Sequence, residues 1–163
     1  MAIDPLTAAT NSILWPYLRG KGFVKVTARR FARKRGDVYQ QLWIDAKGVA
    51  GMKSTRMVLL AMFPFESVDG YFDPHGWWFG DGRTRDMSTA GKADAAMPHV
   101  VDALERTELS KLDALDSTDV LLERLEGWPD WREHASKQMQ RWRAGDPELL
   151  AAAAANARRL KLA

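Results

Sequence analysis

Nine consecutive residues, Met57 to Phe65, are apolar without interruption, and this run constrains the fold more than any other feature of the chain. It is too short for a bilayer, which takes about 20 apolar residues in a helix. Loop residues that include Gly48 and Gly51 precede it. An apolar run of this length with no polar alternation reads as a β-strand covered on both faces, placed centrally in a sheet.

The flanking sequence supplies partners for that strand. Val38 to Ile44 alternates Val38, Gln40, Leu42 and Ile44 with Tyr39, Gln41 and Trp43, and Arg33-Lys34-Arg35-Gly36-Asp37 before it carries the glycine of a turn. With the β-branched stretch Phe23 to Phe31 this predicts a two-stranded hairpin. Tyr71 to Phe79 is aromatic but interrupted by Pro74 and Gly76, so it is expected as an edge strand or a structured loop. Residues 80 to 91 read as loop.

Helical signals lie on either side of this sheet. Asp4-Pro5 is an N-cap followed by proline at the first helical position, and Leu6, Ala9, Ile13, Leu14, Tyr17 and Leu18 recur on one face before Gly20 and Gly22. Pro16 predicts a kink or an early end near Leu14. Later, helices are expected around Pro98 to Arg106, after the Ser117 cap, from Trp128-Pro129 to Gly145, and from Asp146-Pro147 onward. The third of these carries Trp131, Ala135, Gln138, Met139 and Trp142 near one face, and the last carries Leu149, Leu150, Ala153, Ala154, Ala157 and Leu160. The fold class is therefore α+β: an N-terminal helix, a short antiparallel β-meander and a C-terminal helical layer. One domain spanning 1–163 is expected, with helix and sheet in 1–92 and the helical part in 93–163. A chain of 163 residues buries about two thirds of the surface its unfolded form exposes, enough for a single core.

No cysteine is present, which excludes disulfides, thiolate catalysis and zinc–thiolate sites. The start of the chain has neither the basic residues nor the apolar run of a signal peptide, so a cytoplasmic location without membrane attachment is expected. Charge is unevenly placed. Residues 1–60 hold eleven Lys/Arg against three Asp/Glu, a balance of +8, which leaves thirteen against eighteen, or −5, for residues 61–163. Either an anionic partner for the basic part or two oppositely charged layers within one domain would produce this.

Gly22-Phe23, Arg30-Phe31-Ala32-Arg33 and Gly36-Asp37-Val38-Tyr39-Gln40-Gln41-Leu42-Trp43-Ile44 together resemble the bacterial family known as domain of unknown function 4304. The resemblance continues loosely through Met57 to Phe65 and Trp77-Trp78, covering about the first half of the chain. It implies an α+β fold and a bacterial source. It supplies no catalytic residue, and because some members look like immunity-type proteins of toxin loci, it points towards partner binding.

Three groups of residues are candidates for function. Trp77 and Trp78, followed by Arg83 and Arg85, combine aromatic anchors with cations as binding hot spots do, although tryptophans beside a sheet also close cores. Arg33, Lys34 and Arg35, within the basic run Arg29 to Arg35, are expected to project together from a hairpin turn, where they would grip phosphate or simply blunt a sheet edge. Asp94 to Glu133 holds eleven acidic residues against four basic ones, suited to a basic partner protein or to an ordinary solvated helix exterior.

No Gly-x-Ser-x-Gly elbow, glycine-rich phosphate loop or complete metal-ligand set is present, and no catalytic residue, cofactor or metal is expected. The primary reading is a non-catalytic module that binds another protein, extending to an immunity-type protein that neutralises a toxin. The alternatives are nucleic-acid binding through Arg29 to Arg35, and an enzyme centred on Asp73, His75, Asp81 and Arg83.

Overall fold

Asp4 caps the first helix as its sequence demands: its carboxylate accepts from the Thr7 amide at 3.0 Å and from the Thr7 hydroxyl at 2.6 Å. The structure, a computed structural model, describes residues 3–46, 55–67, 75–79 and 85–163. In it the helix does not end near Leu14. It runs as α1 (Pro5–Ala9), a π-helical turn (Thr10–Leu14) and α2 (Trp15–Gly20). Proline lacks an amide hydrogen and its ring crowds the carbonyl four residues earlier. For Pro16 that residue is Ser12, inside the wider π turn, so the chain accommodates the proline without leaving the helix.

Five antiparallel strands follow in sequential order: β1 (Val24–Thr27), β2 (Arg30–Arg35), β3 (Val38–Asp45), β4 (Arg56–Met62) and β5 (Gly76–Trp78). The stretch Phe23 to Phe31, expected as one strand, is divided between β1 and β2 by a reversal at Ala28-Arg29. That reversal uses no glycine or proline. It rests on the Thr27 hydroxyl, which accepts from the Arg29 amide at 3.2 Å. Arg33, Lys34 and Arg35 accordingly belong to β2 rather than to the turn. The tight turn is Gly36-Asp37, with Gly36 at φ +56°.

β4 lies between β3 and β5 and is buried on both faces, as the apolar run requires. Met57, Leu59 and Ala61 join Phe31, Leu42 and Phe63 under the helices, where Leu14, Leu18, Met97, Leu104 and Leu112 meet them. Val58, Leu60 and Met62 face the other way, with Ala32 and Tyr39, and are covered by Ala157, Leu160 and Leu162 at the chain's end. Two covers of very different size therefore enclose one sheet.

The helical part begins at α3 (Ala90–Ala103), earlier than Pro98, with Thr89 as its cap. A second π-helical turn (Leu104–Glu108) joins it to α4 (Leu109–Asp113). Ser117 caps α5 (Thr118–Glu123), accepting from Val120 N at 3.2 Å, and α6 (Pro129–Arg143) follows. Gly145 at φ +85° closes α6, and Asp146 caps α7 (Pro147–Arg159) by accepting from the Glu148 and Leu149 amides. α6 buries Ala135 and Met139, and the Trp142 ring lies 5.8 Å from that of Phe65. Trp131, expected on this face, is exposed instead. On α7, Leu150 and Ala154 likewise point to solvent, while Asn156 is buried and donates to the carbonyls of Pro64, at 2.7 Å, and Glu66. Among the described residues no helix is long and apolar enough to cross a membrane.

Candidate functional site

The basic hairpin does not present its cations together. Side chains alternate across a strand, so Arg33 and Arg35 lie on the helix-facing side of β2, and Arg30 and Lys34 lie on the other. Arg33 is only 3 % exposed. Its Nε donates to Gln40 Oε1 at 2.8 Å, one terminal nitrogen to the Lys21 carbonyl at 2.9 Å, and the other to the Asp113 carboxylate. The guanidinium also sits over the Phe23 ring, 4.6 Å from its centre. Burial pulls its pKa below the ordinary value, against the opposing pull of Asp113. Gln40 in turn donates to the carbonyls of Leu112 and Leu115, at 2.6 and 2.9 Å.

The turn itself is docked. Asp37 accepts from the Thr118 amide at 2.8 Å and the Thr118 hydroxyl at 2.7 Å, and Gly36 packs so closely on Asp116 that a Cβ there would meet the Asp116 carbonyl oxygen at 2.0 Å. A turn held in this way does not project into a groove. Lys34 remains exposed, and Arg35 is half-exposed at 3.8 Å from Asp113. Arg30 stacks on Trp43, its guanidinium 4.2 Å from the ring centre.

The aromatic segment splits across the two sheet faces. Trp77 turns under the helices, where its indole Nε1 donates to Glu108 Oε2 at 2.7 Å, and Lys111 approaches the same carboxylate at 3.3 Å. Trp78 points to the opposite face, 36 % exposed, with the Arg56 guanidinium 4.5 Å from its ring centre. His75 is buried against the edge of Phe63, and its Nε2 lies 2.8 Å from the Leu121 carbonyl oxygen. A ring nitrogen facing a carbonyl carries the proton, so Nε2 is a donor there rather than a base. Asp73, Asp81 and Arg83 lie outside the described residues. Arg85 is fixed by a two-way backbone bridge to Thr55, with both hydrogen bonds at 2.9 Å.

Much of the acidic helical charge is used internally. Asp113 holds Arg33, and Glu108 holds Trp77 and Lys111. Glu105 accepts from Tyr17 at 2.5 Å and pairs with Lys21 at 3.1 Å. Burial first, and then that Glu105 contact, raises the Tyr17 phenol above its usual pKa. Part of the opposed charge of the two halves is therefore paired within the fold, Lys21 with Glu105 and Arg33 and Arg35 with Asp113.

One stretch escapes this pairing. From Asp116 to Glu133 the chain carries six carboxylates and two arginines, Arg124 and Arg132. Asp119 pairs with Arg143 at 3.1 Å and Glu133 with Lys137 at 2.8 Å. Asp116, Glu123, Glu126 and Asp130 have no ion pair among the described residues. In the same stretch Trp128 is 44 % and Trp131 50 % exposed. Trp128 precedes α6 and Trp131 lies in its first turn, three positions further on. Sequence periodicity missed this pair because Trp131 falls at helical spacing from Ala135 and Met139. The signal available in sequence was the run of acidic residues on either side of it, which a buried face would not tolerate.

Among the described residues no three His, Asp or Glu side chains converge as a metal site requires. The arrangement defines an α+β protein with a five-stranded antiparallel meander, one broad helical cover and a small second cover formed by the end of the chain. Neither a family model, nor a curated protein, nor a solved structure matches it.

Proposed function

We propose that this chain is a non-catalytic protein-binding module, and that it engages a cationic protein surface through the corner between α5 and α6. The observation that carries this reading is the pair Trp128 and Trp131, both about half exposed at one helix start. Tryptophan is the residue most enriched in binding hot spots. Covering the exposed part of each ring, on the order of 100 Å², contributes about 2–3 kcal/mol before the costs of association.

The sign of the partner follows from the surrounding charge. With Asp119 paired to Arg143 and Glu133 to Lys137, the four remaining carboxylates against Arg124 and Arg132 leave this corner at −2, although the whole chain is +3. Opposed charges of this kind accelerate encounter and select against acidic competitors. An immunity-type protein that caps a basic toxin needs both properties, and the resemblance of the first half to the 4304 family agrees with that role. The nucleic-acid alternative loses its main support with Arg33 internal and the hairpin turn docked. The enzyme alternative loses a free His75.

The test is a pull-down from the native host at low and moderate salt with wild type and with Trp128→Ala/Trp131→Ala. Any captured protein is then purified and its affinity measured by calorimetry. The expected result is a basic protein retained by wild type at moderate salt, with Kd raised at least tenfold by the double substitution, since losing about 1.4 kcal/mol is tenfold. Equal affinity for both forms, or recovery of nucleic acid alone, would overturn the reading.

A further inference from the structure

The second face of the sheet, away from the broad helical cover, carries a different surface. Strand pairing sets Arg30, Trp43, Val58 and Trp78 in one register row on that face. Trp43 and Trp78 are therefore two strands apart, about 10 Å, with Val58 between them. The end of α7 packs on this face through Leu160 and Leu162, yet it leaves Trp78 36 % exposed and Trp43 half-buried. The Trp43 indole Nε1 already donates to Gln41 Oε1 at 2.6 Å, so what this residue offers a ligand is ring surface. Arg30 lies over the Trp43 ring and Arg56 over the Trp78 ring, at 4.2 and 4.5 Å from their centres. Aromatic rings and guanidinium planes both stack with nucleobases.

The unpaired charge around this row has one sign. Lys34 and Arg56 belong to the same face, and the chain end packed on it brings Arg158 and Lys161, both exposed. None of these four cations has an ion pair among the described residues. Arg30, Asp45 and Arg159 have further partners and add nothing to this count. Four unpaired cations beside two accessible rings complement a polyanion that also presents flat, unstacked groups. A single nucleic-acid strand is such a ligand, since its phosphates answer the cations and its bases are open to stacking. A duplex has its bases stacked already, and an acidic protein has none.

We infer that the second face of the sheet binds single-stranded nucleic acid, with Lys34, Arg56, Arg158 and Lys161 meeting phosphates and the rings of Trp43 and Trp78 meeting bases. The experiment is a fluorescence-anisotropy titration of the intact chain with a labelled oligothymidylate of about 12 nucleotides, inside the site sizes of single-strand binders, over a series of sodium chloride concentrations. Each phosphate contact on a single strand adds about 0.7 to the slope of log K against log salt, so four contacts give a slope of about −3. Lys34→Gln/Arg158→Gln/Lys161→Gln changes exposed positions only and should keep the fold while reducing that slope by about 2. Trp78→Ala, checked by circular dichroism to be folded, should weaken binding at least fivefold at an unchanged slope, the effect of losing one stacked base. A duplex of the same length and a polyglutamate of similar charge should each bind at least fivefold more weakly. Absence of saturable binding, equal binding of the duplex or of polyglutamate, a slope that the triple substitution leaves unchanged, or wild-type affinity in Trp78→Ala would overturn the inference. Trp128→Ala/Trp131→Ala should bind the oligonucleotide as wild type does, so this outcome and that of the protein-binding reading are separable.

Discussion

Replacing Arg33 with methionine separates a structural role from a binding role at the densest basic run in the chain. Methionine keeps the unbranched stem over Phe23 but removes the charge and all the donors. Three acceptors then lose their partner: Gln40 Oε1 in the interior, the Lys21 carbonyl, and the Asp113 carboxylate. Breaking a buried ion pair by deleting one partner costs about 3–5 kcal/mol, and a stranded buried acceptor costs roughly 1–3 kcal/mol. Asp113 is 38 % exposed, so water recovers part of the first figure. The net expectation is a loss of about 3–4 kcal/mol, a large share of the roughly 5–15 kcal/mol that holds a domain together. Equilibrium urea unfolding followed by circular dichroism measures it. Arg33→Lys should lose most of the same amount, because an ammonium cannot replace a fork that reaches three separate acceptors. Lys34→Met, one residue along and exposed, should stay within about 0.5 kcal/mol of wild type. A loss below about 1 kcal/mol for Arg33→Met would refute the reasoning and return Arg33 to the solvated cations that could serve a partner.

Two further outcomes follow from the same interior. Glu66 is pushed up to about 7 by burial, against the pull of the Phe63 amide that donates to it at 3.0 Å. Its folded pKa therefore lies above the unfolded value of 4.5, so its contribution to stability is complete below pH 4.5 and is lost as pH rises through about 7. Glu66→Gln should gain about 1–3 kcal/mol over wild type at pH 8 and nothing at pH 4, the range allowing for the side chain's remaining contact with water. Urea unfolding of both forms at the two pH values checks this, and an equal difference at both would sink it. Gly36→Ala should destabilise by more than about 2 kcal/mol, since the left-handed backbone alone costs a side chain roughly 1–2 kcal/mol and the added Cβ meets the Asp116 carbonyl. A thermal melt within a degree or two of wild type would contradict that contact.

The parts of this fold that depend on local chemistry are readable from residues alone. Asp4, Ser117 and Asp146 cap helices where their sequence context puts them, and the apolar run from Met57 supplies β4, an interior strand buried on both faces, although β3 and not β4 is the middle strand of the sheet. What escaped reading depends on groups far apart in the chain. The Ala28-Arg29 reversal lacks turn residues, so it became visible only when β1 was seen paired with β2. Arg33 looked solvated because an arginine beside a glycine turn usually is, and its partner Asp113 lies 80 residues away. Asn156 inside an alanine-rich helix gives no local hint that it bonds the carbonyls of Pro64 and Glu66. Trp131 shared a period with Ala135 and Met139, yet α6 packs mainly on α5 and α7 and leaves that part of its face uncovered.

The same long-range pairing decides which charges are informative about function. The imbalance of +8 against −5 between the two parts of the sequence invites a search for an external counter-charge. Yet Arg33 with Asp113, Lys21 with Glu105 and the approach of Arg35 to Asp113 show the basic sheet side meeting the acidic helical side within one molecule. Charge already paired within the fold contributes little to attracting a partner, because bringing that partner close would first require breaking the internal pair. Beside the exposed rings of Trp128 and Trp131 this subtraction leaves the carboxylates of Asp116, Glu123, Glu126 and Asp130, which have no ion pair among the described residues. A cationic protein drawn to this corner should therefore bind more slowly as salt screens those carboxylates, while the contribution of the two tryptophan rings persists.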